Sequence, residues 1–484
     1  MCEYATRWFV GGDETLSDES NLSHEAGPET SGHDADPADG RRHAVAREVV
    51  RILSRAVDPS VLDIQVADGS SRASGADDVT GGPATTSERR ARARVVVNGP
   101  DALGRLLFPP TPDAFAEGFL RGDLEIEGDV MAAVDAGEAL NLRRLSATDV
   151  RQLVRWSMTL RRGASRPASL QRTARMVGAR HSRARDLAAI RFHYDVGEAF
   201  YRLWLDRRLT YSCAYFPPAT TPESAAGMLD EAQEAKLGLI ARKLSLKPGI
   251  RLLDVGCGWG SLLEYAAASS GVEATVGVTL SERQADEANR RLVASDLGGL
   301  ARAEVRDYRD LGSLGQFDAV ASVGMFEHVG RANLSIYFRA AFEAVRPGGL
   351  FLNHGIAQAS PQGRLGSGFH PGSSHFVDRY VFPDGELVTV EAAIAAARAA
   401  GFELIDVQSL RPHYALTLAA WVARLEASWD EAVAAAGEEV ARTWRLYMSA
   451  ARLGFERGDL DVCQLLLAKP DRGSPARVPL RPWW

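Results

Sequence analysis

The sequence predicts an α/β protein: a doubly wound, Rossmann-like parallel sheet with helical cover, joined to a smaller amino-terminal α/β domain. Three observations lead there. The apolar run Leu252-Leu253-Asp254-Val255 breaks at Gly256, Gly258 and Gly260 and passes into the helical pattern Leu262-Leu263-Glu264-Tyr265-Ala266-Ala267, which is the strand, tight turn and helix of a nucleotide-binding unit. From about Arg191 onward, strand-like runs at 274–278, 301–305, 317–323 and 349–353 alternate with helical stretches, as a parallel sheet requires. Ahead of them, Val61–Val66 and Ala93–Val97 alternate like strands on either side of a Gly/Ser-rich loop, which marks a separate small unit.

The first forty residues carry ten acids against Arg7, a charge of −9 within a whole-chain charge of −7. An acidic, Gly/Ser-rich opening of that kind is expected to be a disordered tail over 1–40. The small unit then spans 41–150. It has helical spacing from His43 to Val57, a short helix from Pro112 to Leu120, and the run Leu124-Glu125-Ile126-Glu127-Gly128. Acids alternate with apolar residues in that run as on an edge strand facing water, and nothing in the unit looks catalytic.

Residues 151–190 form an arginine-rich helical linker. Ten arginines (151, 155, 161, 162, 166, 172, 175, 180, 183 and 185) stand there with no acid between Arg151 and Arg185, interleaved with Leu153, Val154, Trp156, Met158 and Leu160. A solvated linker and a nucleic-acid contact are both open readings. A basic helix bearing Trp, Met and Leu suits a lipid headgroup boundary better, so an anionic bilayer is the expected partner and nucleic acid is not. The large unit, 191–484, begins with a helix over 222–244 that leads into the glycine turn. Residues 360–384 read as a loop-rich lid, and 390–400 and 416–467 as helical.

Hydrophobic content of 45% and charged content of 25% are those of a soluble globular protein. No apolar run reaches the 18 or so residues of a spanning helix, and Met1-Cys2-Glu3-Tyr4 lacks the regions of a secretion signal. The expected location is therefore cytoplasmic, peripheral to the inner face of the cell membrane. Four scattered cysteines, Cys2, Cys213, Cys257 and Cys463, have neither disulfide-framework nor zinc spacing. Oligomeric state is not legible; a homodimer is allowed.

The glycine turn admits two cofactors. A dinucleotide site carries G-x-G-x-x-G and an acid ending the second strand. Here the spacing is G-x-G-x-G, and Ala274-Thr275-Val276-Gly277-Val278 runs into Thr279-Leu280-Ser281 with no acid. Glu282 and Gln284 follow and would reach a ribose hydroxyl. Together with Arg306-Asp307-Tyr308-Arg309, the pattern favours S-adenosylmethionine. Two polar residues fall near its reactive end: Glu327 after the fourth strand and His354 at the end of the fifth. Glu327 as a helix cap and His354 as a bonded core imidazole are the structural alternatives.

The segments His193-Tyr194-Asp195-Val196-Gly197, Thr210-Tyr211-Ser212-Cys213-Ala214-Tyr215-Phe216, Glu231-Ala232-Gln233-Glu234-Ala235-Lys236, Phe326-Glu327-His328-Val329-Gly330, Tyr380-Val381-Phe382-Pro383 and His413-Tyr414-Ala415-Leu416-Thr417, with the glycine turn, resemble the cyclopropane-fatty-acyl-phospholipid synthases and mycolic acid cyclopropane synthases. They occur in family order over about Arg191 to Ala468. The small unit, with Gly122-Asp123-Leu124, resembles the extra domain of the phospholipid-acting members.

The resemblance implies a class I methyltransferase sheet and methyl transfer from S-adenosylmethionine to the cis double bond of an acyl chain. A proton must then leave for the ring to close. The resemblance also implies a bound bicarbonate ion as the base, held at Cys213, Glu327, His354 and Tyr414 with His328 adjoining. Cofactor contacts are implied at Tyr211, Ser212, Asp254, Gly256, Gly258, Thr279, Leu280, Gln284, Asp307 and Tyr308. Phe216, Phe326 and Tyr380 are expected to offer ring faces to the transient cation. The glycine-rich loop 360–375 departs from any pattern legible residue by residue, so a cyclopropane and a methyl- or methylene-branched chain both stay open. Methylation of a soluble metabolite, and lipid binding without turnover, are the more distant readings.

Overall fold

The computed structural model describes residues 37–67, 91–108, 110–138, 144–162, 164–359, 375–471, 473–476 and 480–484. The acidic tail expected at 1–40 lies outside these residues as far as residue 36; from Pro37 the chain is already the helix Pro37–Leu53.

In the small unit, β1 (Leu62–Val66) pairs in parallel with β2 (Ala93–Val97), and β2 pairs antiparallel with β3 (Leu124–Gly128). β3 is an edge strand, as its alternation predicts. Its acids are not simply solvated, however. Glu125 pairs with Arg442 of the large unit and Glu127 with Arg94.

The large unit is a seven-stranded sheet. β4 (Arg251–Val255), β5 (Ala274–Thr279), β6 (Ala301–Val305), β7 (Phe317–Val323), β8 (Val345–Gln358), β9 (Glu403–Ser409) and β10 (Leu460–Ala468) lie in the order β6-β5-β4-β7-β8-β10-β9. The first five of that order are parallel, and β10 inserts antiparallel between β8 and β9. Leu252, Leu253, Val320 and Ala321 are fully buried because helices cover both faces of the central strands.

Two elements depart from the expected order. The helical reading of 416–467 overruns: three helices, Arg411–Ala427, Trp429–Ala436 and Glu438–Arg457, end at Gly458, whose φ of +77° closes the last of them. The run through Leu465-Leu466-Leu467 is β10, buried on both faces, and a short apolar run has no periodicity with which to announce a strand. In the expected lid, residues 360–374 lie outside the described residues, and His375–Tyr380 is a helix.

The arginine-rich stretch is helical over Ala147–Arg162 and resumes a helix only at Arg183. Between them the chain crosses to the large unit without regular structure, the backbone N–H groups of Gln171 and Arg172 both donating to the Glu439 carboxylate at 2.9 Å. Arg172 is partly buried. Its guanidinium lies over the Phe192 and Trp444 rings at 4.7 and 5.6 Å and donates to the Phe192 carbonyl.

The two units are joined by buried polar contacts. Arg442, 7% exposed, donates to the Phe119 carbonyl at 3.1 Å, pairs with Glu125 and Glu438, and lies over the Phe119 ring. Arg379 and the Tyr380 hydroxyl both reach Glu117, at 2.9 and 3.0 Å. Both glutamates on Arg442 are partly solvated, so their attraction is screened and much of its value lies in the carbonyl bond and the stacking. Arg442→Ala is expected to cost about 1–3 kcal/mol; chemical denaturation monitored by intrinsic fluorescence checks it, and an unchanged midpoint would show the contact to be incidental.

Candidate active site

Two cavities open at the carboxyl ends of the parallel strands, and Tyr194, Tyr211, Gly324 and His328 line both. The first cavity sits over the glycine turn. Gly256 and Gly260 hold φ of +84° and +83°, a region closed to most side chains. A Cβ on Gly256 would stand 2.7 Å from Met325 Cβ. The backbone N–H groups of Gly256 and Cys257 both donate to the Val278 carbonyl, which ties the turn to β5.

Around this turn the cavity is lined by Tyr211, Ser212, Asp254, Gly256, Gly258, Thr279, Leu280, Gln284 and Tyr308, all expected cofactor contacts. Gln284 accepts from the Thr279 hydroxyl at 2.7 Å through its amide oxygen, which leaves the amide nitrogen to donate to a ligand. Two expected groups are elsewhere. Glu282 is exposed and paired with Arg191. Asp307 is not on the cavity wall: its carboxylate accepts from the Arg309 backbone and guanidinium at 2.9 and 2.8 Å. Arg306 and Lys236, which belong to segments named above but were not among the expected contacts, are on the wall.

Asp254 is 3% exposed and its Oδ1 has no hydrogen-bond partner among the described residues. Burial pushes its carboxyl up to about 7. A glycine cradle that a Cβ would fill, a free amide donor and an unpartnered buried carboxylate fit an adenosine joined to a charged amino-acid group. S-adenosylmethionine has that form.

The second cavity is mostly apolar, lined by Leu387, Leu418, Ala451, Phe455 and Leu460 together with Glu327, His328, Tyr414 and Tyr447, and His328 lines the first cavity as well. Glu327 sits in a single 3₁₀ turn, Phe326–His328, and accepts through Oε1 from the Ile356 N–H at 2.6 Å. It therefore bridges to β8 rather than capping a helix. Its Oε2 is buried without a partner among the described residues, and burial raises the carboxyl to about 7. The adjoining His328 is pushed down to about 4 by the same burial and stays neutral near pH 7.

Cys213 and His354 line neither cavity. The Cys213 thiol donates to the Ala214 and Leu410 carbonyls at 3.2 and 3.8 Å, and burial raises it. His354 is 1% exposed, its Nδ1 bonds with the Gln464 amide at 3.2 Å, and burial lowers it to about 3. Its Nε2 is unpartnered.

The three rings expected to face the cation do not. Phe326 packs among Tyr337 and Phe338, the buried Phe216 lies off both cavity walls, and Tyr380 stacks on Phe376. The rings on the second cavity's wall are instead those of Tyr194, Tyr211, Phe382, Tyr414, Tyr447 and Phe455. Tyr194 and Phe382 stood inside family-like segments and were findable there; Tyr447 belongs to no motif.

A family model described as mycolic acid cyclopropane synthetase matches residues 181–465. A probable fatty acid methyltransferase of Pseudomonas putida is 39% identical over 377 residues, 78% of this chain and 87% of that protein. The cyclopropane-fatty-acyl-phospholipid synthase of Escherichia coli K12 is 35% identical over 65% of this chain and 78% of its own. Among solved structures, the cyclopropane synthase MmaA2 from Mycobacterium tuberculosis is 34% identical, with a TM-score of 0.53 over 60% of this chain and 99% of that one. The mycolic acid cyclopropane synthase CmaA1 complexed with SAH and CTAB has a TM-score of 0.52 at 34% identity, over 58% of this chain and 98% of its own. With the two cavities in place, these likenesses settle the assignment: the chain belongs to the mycolic acid cyclopropane synthetase family and is an S-adenosylmethionine-dependent methyltransferase.

Proposed function

We propose that the protein adds the methyl carbon of S-adenosylmethionine across the cis double bond of unsaturated acyl chains in membrane phospholipids, forming a cyclopropane. The observation that carries this reading is the meeting of the two cavities. A cavity over the glycine turn and a mostly apolar one share a wall at Tyr211 and His328, beside a buried carboxyl with one oxygen unpartnered among the described residues.

Bound S-adenosylmethionine supplies an electrophilic methyl group. The protein then has to hold the alkene against it, exclude water and take one proton. In the reaction proposed, the alkene π pair would form the new C–C bond as the S–CH3 bond breaks with its pair going to sulfur, leaving S-adenosylhomocysteine, and the carbocation would lose a proton from the added methyl so that the freed C–H pair closes the ring. Leu387, Leu418 and Phe455 would orient the chain, and the Tyr194 and Tyr211 faces would stabilise the cation.

For the proton acceptor we favour a bicarbonate ion held by Glu327 and Tyr414 with His328 adjoining; Cys213 and His354, expected to join them, line neither cavity. Oε2 of Glu327 has no partner among the described residues. A carboxyl raised to about 7 can share a proton with such an anion instead of repelling it. Two relatives, from Pseudomonas putida and Mycobacterium tuberculosis, are named as probable fatty acid methyltransferases; a second reading is that the same cation loses a different proton and leaves a branched chain.

Mass spectrometry of acyl chains after incubation with S-adenosylmethionine and vesicles of mono-unsaturated phospholipid tests the proposal. A gain of one CH2 with upfield ring protons in NMR is expected. An exocyclic methylene signal selects the branched product, and an unchanged mass with bound cofactor overturns acyl alkylation.

No helix among the described residues is long and apolar enough to cross a membrane. Arg151, Arg155, Arg162 and Arg166 are exposed, with Val150 and Val154 beside the first two, and no ion pair joins any of the four among the described residues. This face, not Arg172, supports peripheral docking on an anionic leaflet, at roughly 1 kcal/mol per arginine. Replacing the four with Gln is expected to abolish salt-sensitive binding to anionic vesicles in a flotation assay. Binding that persists unchanged in the variant would locate the contact elsewhere.

A further inference from the structure

The helix Ala147–Arg162 presents a stripe of arginine with no acid set against it. Arg151, Arg155 and Arg162 stand at i, i+4 and i+11, which places them within about 40° of one another around the helix axis. Arg166 follows four residues later. All four are exposed, and none makes an ion pair among the described residues.

The acids bordering the stripe are committed elsewhere. Asp149 pairs with Arg55 and accepts from the Ser146 hydroxyl at 2.8 Å. Asp101 pairs with Arg42 and accepts from the Ser165 N–H at 2.9 Å. Even the neighbouring Arg161 is engaged, its guanidinium 4.3 Å from the centre of the Phe108 ring. Like charges four residues apart on a helix repel, so the stripe gains from an anionic cover.

Helix packing fixes where an acidic segment of this same chain enters. The helix Pro37–Leu53 runs antiparallel along Ala147–Arg162: near its start Arg42 donates to the Leu160 carbonyl at 3.2 Å, and just past its end Arg55 reaches Asp149 at 2.9 Å. Pro37 therefore lies at the Arg162 end of the stripe. Residues 1–36, outside the described residues, join the structure there and carry nine acids against Arg7, eight of them between Asp13 and Asp36. The stripe from Arg151 to Arg162 is about 16 Å long at about 1.5 Å per helical residue. An extended chain gains up to about 3.3 Å per residue, so the run from Asp13 to Asp36 spans it several times over.

We propose that residues 13–36 form an internal acidic cover over Arg151, Arg155, Arg162 and Arg166, and that an anionic membrane leaflet displaces it. The cover belongs to the free protein and is independent of any membrane contact; its displacement rests on the docking proposed above. Because the acids are tethered beside the stripe, their effective concentration there is of the order of millimolar. A sparsely charged surface then fails to compete, and a densely anionic one, offering many charges at once, succeeds. The device restricts docking to strongly anionic bilayer.

Resonance energy transfer in the full-length chain tests the cover. One dye is placed at Ser20→Cys and the other at Thr148→Cys, an exposed site at the Arg151 end of the helix, in a Cys2→Ser background; Cys213, Cys257 and Cys463 are buried. Without vesicles and at low salt, transfer is expected to be at least about twofold more efficient than in the same protein with the four arginines replaced by Gln, and to fall to that level as salt screens the exposed charges. Equal transfer in the two proteins overturns the cover. Should the arginine variant fail to fold, transfer in the parent that does not change with salt overturns it equally. Transfer seen only on mixing singly labelled donor and acceptor proteins would assign the stripe to a second copy of the chain and overturn the internal contact.

Vesicles of phosphatidylglycerol and phosphatidylcholine test the displacement. Adding them is expected to lower transfer in the labelled parent. Replacing the eight acids from Asp13 to Asp36 with their amides is expected to lower the vesicle concentration for half-maximal flotation at least about threefold, as removal of a tethered competitor should. Flotation that leaves transfer unchanged overturns the displacement. A parent protein that does not float at all overturns the docking, a failure distinct from that of the cover.

Discussion

Glu327→Gln is expected to lower turnover at least about a hundredfold, the low end of what a positioned acid or base contributes, while S-adenosylhomocysteine affinity changes no more than a few-fold. The substitution is nearly isosteric, and the Gln oxygen can still accept from the Ile356 N–H that Oε1 accepts from now. What disappears is the ionisable oxygen at the junction of the cavities. Single-turnover acyl mass spectrometry measures this, and near-normal turnover would remove Glu327 from the mechanism.

The same variant carries a pH signature. Burial raises the folded-state carboxyl to about 7 from an ordinary 4.5, so the folded protein holds a proton that the unfolded chain releases earlier. That contribution to stability is complete below about 4.5 and is lost as pH rises through 7. Thermal melts of the wild-type protein should therefore decline across this window. Glu327→Gln should lack that component and match or exceed the wild type at pH 8. Parallel melting curves over the whole range would refute the assignment.

Gly256→Ala is expected to weaken S-adenosylhomocysteine at least about tenfold and to destabilise the fold by about 1–3 kcal/mol, the range for a residue forced into a sparsely populated backbone region. Two effects combine. The φ of +84° is unfavourable for any side chain, and the new Cβ would sit 2.7 and 2.9 Å from Met325 Cβ and Cγ. Met325 lines the cofactor cavity and stands two residues before Glu327, so its displacement would reach both sites. Gly258→Ala is the comparison: its φ of +53° is also unfavourable for a side chain, but no atom lies within 4 Å of the added Cβ. It should lose less stability than Gly256→Ala, and if the two variants melt alike the contact with Met325 is not the added strain described.

Legibility in the sequence followed the range of the cause. The glycine turn, β4 to β7 and the Asp254 and Glu327 positions were readable because turn chemistry and strand-length apolar runs are local. β10 was misread because an apolar run buried by β8 and β9 on either side looks like any other buried segment. Asp307 was assigned to the cofactor, yet a neighbour two residues away, Arg309, takes its carboxylate. Lys236 stood inside a quoted segment with nothing to mark its charge as buried.

By itself the sequence determined the backbone path of the cofactor turn and the acids at the strand ends, since glycine conformation and hydrophobic patterning act between near neighbours. Only the tertiary structure decided that Arg172 is partly buried against two rings while Arg151 and Arg155 face solvent, that Phe216, Phe326 and Tyr380 lie off the wall of the second cavity, and that Lys236 and Asp254 line one cavity with no ion pair between them among the described residues. Burial and pairing are made by segments distant in the chain, and the charge state of a group follows from them.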